Sequence, residues 1–206
     1  MKKKLGFTLI ELLAVIILLS MVLVIAVPSV NKYLRNSKDN ASELQINTML
    51  EAVETFANSY RKVLPENHGE QIRITLGQLK AEGLIKNDIT DPRNDSYFVD
   101  SIEFIIRKNG NNYIYSVDEN TIKTRATKGN SPTIILNGDA VEYYKVGDTY
   151  NEPGYMAYAY SGEEIADIVV DATELTLATA GIFRIKYVAT DNNGISTTVI
   201  RNIVVK

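Results

Sequence analysis

An apolar stretch opens the chain. Residues 7–27 are apolar except at Thr8, Glu11 and Ser20, so 21 residues have the composition of a membrane span. As a helix they would be about 31 Å long, which matches a hydrocarbon core of roughly 30 Å. The pattern predicts a membrane-spanning helix over 7–27.

An amphipathic stretch follows Pro28. Apolar residues recur at three- to four-residue intervals up to about Val63, with Lys32, Arg35 and Glu43 among the polar residues between them. This spacing is typical of a helix with one buried face. We therefore predict one helix over 7–63, whose second half packs on a small domain.

Residues 64–122 combine helical and strand signals. Thr75 and Gln78 have the spacing of a capping box, which opens a predicted helix over Leu76–Glu82. Asn109-Gly110 separates two β-prone runs and is the strongest short-range signal for a hairpin. The two runs are Ser101–Arg107 and Asn112–Val117. A small α+β head is expected here.

Residues 123–131 lose the apolar periodicity and are predicted to be a linker. Beyond them, residues 132–206 contain short β-prone runs separated by turn residues, which is typical of an antiparallel sandwich. The predicted strands are Thr133–Leu136, Val141–Tyr144, Tyr155–Tyr160, Ile165–Val170, Glu174–Leu177, Ile182–Thr190 and Ile195–Val205. This set is complete enough to predict a domain that folds independently.

Composition narrows the function classes. The net charge is −3, and it becomes −6 if Lys2, Lys3 and Lys4 are removed, so a nucleic-acid-binding surface is not expected. The chain has no cysteine, which excludes disulfides, thiolate metal sites and the lipid attachment of a lipoprotein. Stability must come from packing.

Candidate catalytic chemistry is sparse. The single histidine, His68, falls in a predicted exposed loop, and the sequence has no G-x-S-x-G motif or phosphate-binding glycine loop. Asp88, Asp91 and Asp95 lack the spacing of a calcium loop and indicate a polar loop. We predict no catalytic residues, no metal site and no cofactor, and hence not an enzyme.

Glu11 is unusual because a carboxylate in a membrane helix costs about 2.5–3.5 kcal/mol near the bilayer centre and commonly marks a function. The segment Gly6-Phe7-Thr8-Leu9-Ile10-Glu11 resembles the prepilin signal of type IV pilins and pseudopilins, with Pro28 where pilins often have a kinking proline. The resemblance implies a leader over 1–6, cleavage between Gly6 and Phe7, methylation of Phe7, and a role for Glu11 in subunit registration. The leader charge is carried by Lys2, Lys3 and Lys4.

The carboxyl-terminal part contains four distinctive segments, which are Gly147–Gly154, Ala180–Tyr187, Thr190–Gly194 and Arg201–Val205. These segments resemble the bacterial immunoglobulin-like modules of surface proteins and insecticidal crystal toxins. In these modules an acidic residue usually follows a pair of alanines, but Tyr160 stands at that position in this chain. A cation site like that of the family is therefore not expected. The tyrosines at 143, 144, 150, 155, 158 and 160 are interpreted as half-buried sheet residues rather than a recognition patch.

Together these features predict a pilin-like α+β fold followed by an all-β immunoglobulin-like sandwich. The expected protein is a structural subunit of a type IV pilus or a type II secretion-like filament, with prepilin peptidase, like subunits, other pilins, the assembly machinery and the membrane as partners. It would cross the cytoplasmic membrane once, with its amino terminus inside. The alternative is a permanently anchored surface protein that binds a glycan or a protein. A secretory signal peptide is disfavoured because Val24–Pro28 makes a poor cleavage site.

Overall fold

The computed structural model describes residues 8–61, 64–126 and 131–206, and its first element is one long helix. Helix α1, Leu9–Ser59, has 51 residues and contains Pro28 without ending there. Its length is about 77 Å. The helix ends before the predicted limit at 63, because Tyr60 leaves helical geometry while its amide still bonds the Phe56 carbonyl. Residues 7, 62 and 63 of the predicted helix lie outside the described residues.

The head that follows α1 contains six strands and one helix. They are β1 (Gln71–Thr75), α2 (Leu76–Ala81), β2 (Thr90–Asp91), β3 (Ser96–Phe98), β4 (Glu103–Asn109), β5 (Asn112–Val117) and β6 (Arg125–Ala126). Strands β1, β4 and β5 form an antiparallel sheet in the order β1-β4-β5, and β2, β3 and β6 form a second one. β6 falls within the predicted linker 123–131.

The capping residues and the Asn-Gly turn of the head form the helix and the hairpin that they predict. The Thr75 hydroxyl accepts a hydrogen bond from the Gln78 amide at 3.2 Å, and α2 ends at Ala81. The hairpin turns at Gly110, whose φ is 57°, between the paired residues Asn109 and Asn112. Glycine adopts this left-handed conformation without a steric penalty.

The second half of α1 packs on the β1-β4-β5 sheet. Met49, Val53 and Phe56 supply the helix side of this core, and each is at most 1% exposed. The sheet side consists of Ile72, Ile74, Phe104 and Ile106. The apolar residues that recur every three to four positions in α1 therefore form the face that packs on the head, as predicted.

Residues 132–206 form two further sheets. Their strands are β7 (Thr133–Leu136), β8 (Val141–Tyr144), β9 (Tyr155–Tyr158), β10 (Ile168–Asp171), β11 (Gly181–Thr190) and β12 (Ser196–Val205). The larger sheet has the order β10-β11-β12-β8, and β7 pairs with β9. Their shared core contains Ile134, Ala157, Ile185, Tyr187, Ala189, Val199, Ile203 and Val205.

Three strands predicted over 132–206 differ from the structure by more than one residue. Glu174–Leu177 is not a strand, the run predicted over Ile165–Val170 starts only at Ile168, and the run predicted over Tyr155–Tyr160 ends at Tyr158. Leu175 and Leu177 instead pack on the core from a turn, in which the Leu175 amide bonds the Ala172 carbonyl. Apolar residues at alternate positions hold a loop on the core here. The same alternation is expected of a strand, so the sequence pattern does not distinguish the two.

Strand β12 is buried on both faces. Val199 and Ile203 point into the core beneath β7 and β9, whereas Val204 belongs to the core of the head. Apolar residues therefore occupy both alternation phases of this strand. The sheet that contains β12 lies between the β7-β9 sheet and the head.

Side-chain amides connect β12 to the head. The Asn202 carboxamide accepts from the Arg73 amide at 3.0 Å and donates to the Arg73 carbonyl at 2.7 Å. The Gln78 carboxamide donates to the Ile200 carbonyl at 3.1 Å, and the Thr75 hydroxyl donates to the Thr198 carbonyl. These bonds satisfy backbone groups of the β1 edge and of β12 that would otherwise be buried without partners.

Charged groups complete the same contact. Glu103, a head residue that is 8% exposed, accepts from Lys186 of β11 at 2.7 Å and from Arg73 at 2.8 Å. Lys80 pairs with the buried Asp100, which also accepts from the Thr197 hydroxyl at 3.0 Å. The head and the immunoglobulin-like region thus share a packed and hydrogen-bonded interface.

Candidate processing and assembly site

Helix α1 begins with a reciprocal cap built by Thr8 and Glu11. The Thr8 hydroxyl accepts from the Glu11 amide at 3.3 Å, and the Glu11 carboxylate accepts from the Thr8 amide at 2.9 Å and from its hydroxyl at 3.0 Å. Amides in the first helical turn lack partners within the helix, so the cap satisfies two of them. The carboxylate is consequently held at the amino-terminal end of α1.

The sequence contains the signal for this cap, but the interpretation of Glu11 missed it. Thr8-x-x-Glu11 has the same capping-box spacing that predicted α2 at Thr75 and Gln78. The structure shows that Thr8 supplies local hydrogen bonds to this carboxylate.

Glu11 is the predicted site residue that the structure describes, and its side chain is exposed. The predicted cleavage residues Gly6 and Phe7 lie outside the described residues. So does the leader charge at Lys2, Lys3 and Lys4.

The apolar surface of α1 is uncovered over its first half. Leu9, Ile10 and Val24 are 87%, 73% and 74% exposed. The Ser20 hydroxyl donates to the Ile17 carbonyl at 2.7 Å, so this polar group is satisfied inside the helix. By length and composition, α1 is the helix of the described chain that could cross a membrane. An apolar surface of this extent requires a lipid or protein environment.

The polar residues weighed as catalytic or metal sites have structural surroundings. His68 is exposed, as predicted, and its Nδ1 accepts from the Gly110 amide at 3.2 Å. Asp91 is buried and paired with Arg93 at 2.7 Å, within a turn in which Asp95 has a φ of 56°. No group of three or more metal-binding side chains occurs within the described residues.

The clustered tyrosines are packing residues, as predicted, with Tyr160 as the exception. Tyr143, Tyr144, Tyr150, Tyr155 and Tyr158 are partly buried, whereas Tyr160 is 60% exposed. The Tyr143 hydroxyl donates to the Leu64 carbonyl at 3.1 Å. These rings cover apolar surface while their hydroxyls reach polar partners.

A buried arginine organises the immunoglobulin-like region, and the sequence interpretation assigned it no role. The Arg201 side chain is 0% exposed and donates to Glu142 at 2.5 Å and to Glu152 at 3.3 Å. It also donates to the Tyr187 hydroxyl at 3.2 Å. Further acceptors are the carbonyls of Asn137, Asp139 and Gly154. The guanidinium thus fixes two loops to β12.

The same network shifts the pKa values of its members. Burial, together with the hydrogen bond to Glu152, raises the pKa of Tyr187 to about 12. Burial acts to raise the pKa of Glu152, but hydrogen bonds from Tyr187 and Tyr150 outweigh it, and that pKa is lowered. Glu152 therefore stays ionised opposite Arg201, which a buried cation requires.

Two family models match the chain. Residues 1–27 match the prokaryotic N-terminal methylation motif, and residues 134–205 match the Ig-like domain of bacterial surface proteins. Both predicted resemblances are confirmed, and both families are structural rather than enzymatic kinds.

Comparison with individual proteins adds little. No curated protein matches the chain. Among solved structures, the lipoprotein BT2262 from Bacteroides thetaiotaomicron matches at 28% identity with a TM-score of 0.30, over 36% of this chain and 37% of that protein. This chain therefore combines an N-terminal methylation motif over 1–27 with an immunoglobulin-like domain of the bacterial surface type over 134–205.

Proposed function

We propose that this protein is a structural subunit of a type IV pilus or a type II secretion-like filament. The observation that carries the proposal is the continuity of the methylation motif over 1–27 with α1, whose apolar side chains are exposed in the single chain. Lipid covers this surface before assembly, and the helices of like subunits cover it afterwards.

Processing comes first in this function. Prepilin peptidase cuts between Gly6 and Phe7 and the new amino terminus of Phe7 is methylated. Three lysines leave with the leader, so the net charge changes from −3 to −6. Before cleavage the same lysines keep the amino terminus in the cytoplasm, which directs the head outward. The assembly machinery then moves the subunit from the cytoplasmic membrane into a cell-surface filament.

Glu11 has a registration role in this proposal. After cleavage, its carboxylate pairs with the positive amino group of Phe7 in a neighbouring subunit. An α-amino group has a reference pKa of about 7.7–8.0 and is largely protonated at neutral pH. The bond from the Thr8 amide supports this role, because it holds the carboxylate close to the end of the chain that cleavage creates.

The immunoglobulin-like domain is displayed on the outside of the filament, where it contacts a glycan or a protein ligand. Adhesion, motility, DNA uptake and secretion remain alternatives for the filament as a whole. The competing function is a permanently anchored surface protein that uses the same domain for binding. Cleavage of the leader distinguishes the filament subunit from the anchored surface protein, because a permanent anchor keeps its leader.

The mature amino terminus tests the proposal. Intact mass of the protein isolated from its native host is expected to correspond to a chain that begins at methylated Phe7. A Gly6→Leu variant should accumulate uncut in the membrane. A wild-type chain that still begins at Met1, or that begins near Pro28, would contradict the filament function.

A second experiment isolates the charge of Glu11. Glutamine also completes a capping box, so Glu11→Gln keeps the start of α1 and removes only the charge. Cleavage at Gly6 should persist while incorporation into sheared filaments falls sharply at equal membrane levels. Glu43→Gln, an exposed site on the same helix, is the matched control. Equal immunogold labelling of Glu11→Gln and wild-type filaments would refute the registration role.

A further inference from the structure

Two pairs of like charges on α1 form no ion pair with the part of the chain that the structure describes. Lys32 and Arg35 lie shortly after Pro28, and Glu51 and Glu54 lie near the end of the helix. All four side chains are exposed. No ion pair among the described residues involves any of them.

The two pairs have matching spacing. Glu51 follows Lys32 by 19 positions, and Glu54 follows Arg35 by the same 19 positions. In a continuous helix this separation is about 28 Å along the axis. A parallel copy shifted by this distance brings both positive side chains beside both negative ones at once.

The two pairs also point in different directions. Nineteen residues at about 100° each leave them roughly 100° apart around the helix axis. The head is attached further along the helix than the basic pair, through Met49, Val53 and Phe56, which lie on a different face from the acidic pair. One copy can therefore contact one neighbour through its basic pair and another neighbour through its acidic pair. Such a contact is heterologous, and because each copy is rotated as well as shifted along the axis, its repetition builds an open helical filament.

We propose that the partner of these charges is a second copy of this chain. Lys32 and Arg35 of one copy contact Glu51 and Glu54 of a parallel copy displaced by about 28 Å along the filament. The inference rests on the proposed filament function and adds an axial stagger to it. Complementary charge at two equally spaced positions is the observation that selects this partner. Copies inserted from the same side of the membrane are parallel, which favours this pairing over the reversed one.

Cysteine cross-linking tests the stagger, because the natural chain has no cysteine. Full-length Lys32→Cys/Glu51→Cys protein is expressed in the native host, and sheared filaments are oxidised and run on a non-reducing gel. A disulfide needs Cα atoms about 4.4–6.8 Å apart, so the two cysteines of one chain, about 28 Å apart, cannot bond each other. The expected product is a ladder of multimers. Arg35→Cys/Glu54→Cys should give the same ladder.

Matched variants define the controls. Lys32→Cys/Asn47→Cys places the second cysteine at an exposed site about 6 Å closer along the helix, and it should give little ladder. Lys32→Cys/Glu54→Cys would give mainly dimers if the copies were antiparallel. As an independent test, Lys32→Glu/Arg35→Glu should lower filament yield severalfold, and adding Glu51→Lys/Glu54→Lys should restore it.

The outcomes separate this inference from the filament function. A ladder from the 32/51 and 35/54 variants that exceeds the 32/47 control supports the stagger. Filaments that form normally but cross-link equally at 32/47, or only as 32/54 dimers, overturn the stagger and leave the filament function intact. A wild-type chain that is cleaved but never recovered in sheared filaments overturns the filament function itself.

Discussion

Substitution of Gly77 by alanine tests the interface between the head and the immunoglobulin-like region. Gly77 lies in α2 against β12, and its amide donates to the Asp100 carbonyl at 3.0 Å. A Cβ atom at this position would be 2.5 Å from Thr197 Oγ1 and 2.9 Å from the Thr198 carbonyl oxygen. The second obstacle is backbone, so a side-chain rotation cannot remove it. α2 and β12 would have to move apart.

Two opposing effects determine the size of the change. In an ordinary helix, replacing glycine by alanine stabilises by about 1 kcal/mol. Overpacking a tight contact costs about 1–3 kcal/mol. Separation of the surfaces also weakens the hydrogen bonds of Thr75 and Thr197, at about 1 kcal/mol each. The net expectation for Gly77→Ala is a loss of roughly 1–3 kcal/mol, which lowers Tm by about 3–10 °C.

Thermal unfolding of the full-length protein in detergent micelles measures this loss, with near-ultraviolet circular dichroism of the tyrosines as the signal. Ala81→Gly, an exposed site in the same helix, is the matched control, because helix propensity alone makes it lose about 1 kcal/mol. Adding Thr197→Ala to Gly77→Ala should recover part of the loss. An unchanged or higher Tm for Gly77→Ala would refute the claim that β12 is packed tightly against the head.

Three other substitutions probe the same region. Asn202→Ala removes two hydrogen bonds and leaves the Arg73 amide and carbonyl unpaired, so it should cost roughly 2–4 kcal/mol in denaturant unfolding. Burial opposes ionisation of Glu103, but Lys186 and Arg73 lower its pKa below the reference of 4.5. Its stabilisation is therefore present above that reference and lost as the pH falls through the lower folded value, and Glu103→Gln should flatten this acid dependence of Tm. Arg201→Met removes the guanidinium from the partly exposed carboxylates of Glu142 and Glu152 and from the carbonyls of Asn137 and Asp139, and it should cost about 1–3 kcal/mol.

Exposed residues of the same types provide the controls. Asn192→Ala and Glu119→Gln are exposed sites, and each should change stability by less than about 0.5 kcal/mol. An Asn202→Ala protein as stable as Asn192→Ala would show that the carboxamide bonds are dispensable. The Glu103 argument fails if the acid limb of Glu103→Gln coincides with that of the wild type.

Local signals predicted much of the fold and the candidate site. The capping residue Thr75, the Asn109-Gly110 turn and the apolar spacing of α1 each act over a few residues, so the sequence shows them directly. The assignment of Gly6 and Phe7 came from a motif, and it stays a prediction because those residues lie outside the described structure.

Contacts between distant residues could not be predicted in the same way. Asn202 meets Arg73 across 129 positions of the chain, and Gln78 meets Ile200 across 122. In neither pair does the residue type or the sequence spacing of one residue indicate which residue it contacts. One signal of the contact was present: Val199, Ile200, Ile203 and Val204 occupy both phases of β12, which is typical of a strand covered on both faces. That pattern bears directly on whether 132–206 folds independently, because the isolated fragment would expose one face of β12.

The interface also determines how a force on the immunoglobulin-like region is transmitted to α1. β12 is a central strand of its sheet, and its outer face is bonded to β1 and α2 of the head. The head packs on α1 through Phe56 and its neighbours. A force on the sheet is therefore transmitted through buried contacts to the head and then to α1. The covalent connection between β6 and β7 is a second route for the same force. A domain that only hung from a linker could reorient freely, whereas this one keeps a fixed direction relative to α1, and with it to the axis of any filament that α1 builds.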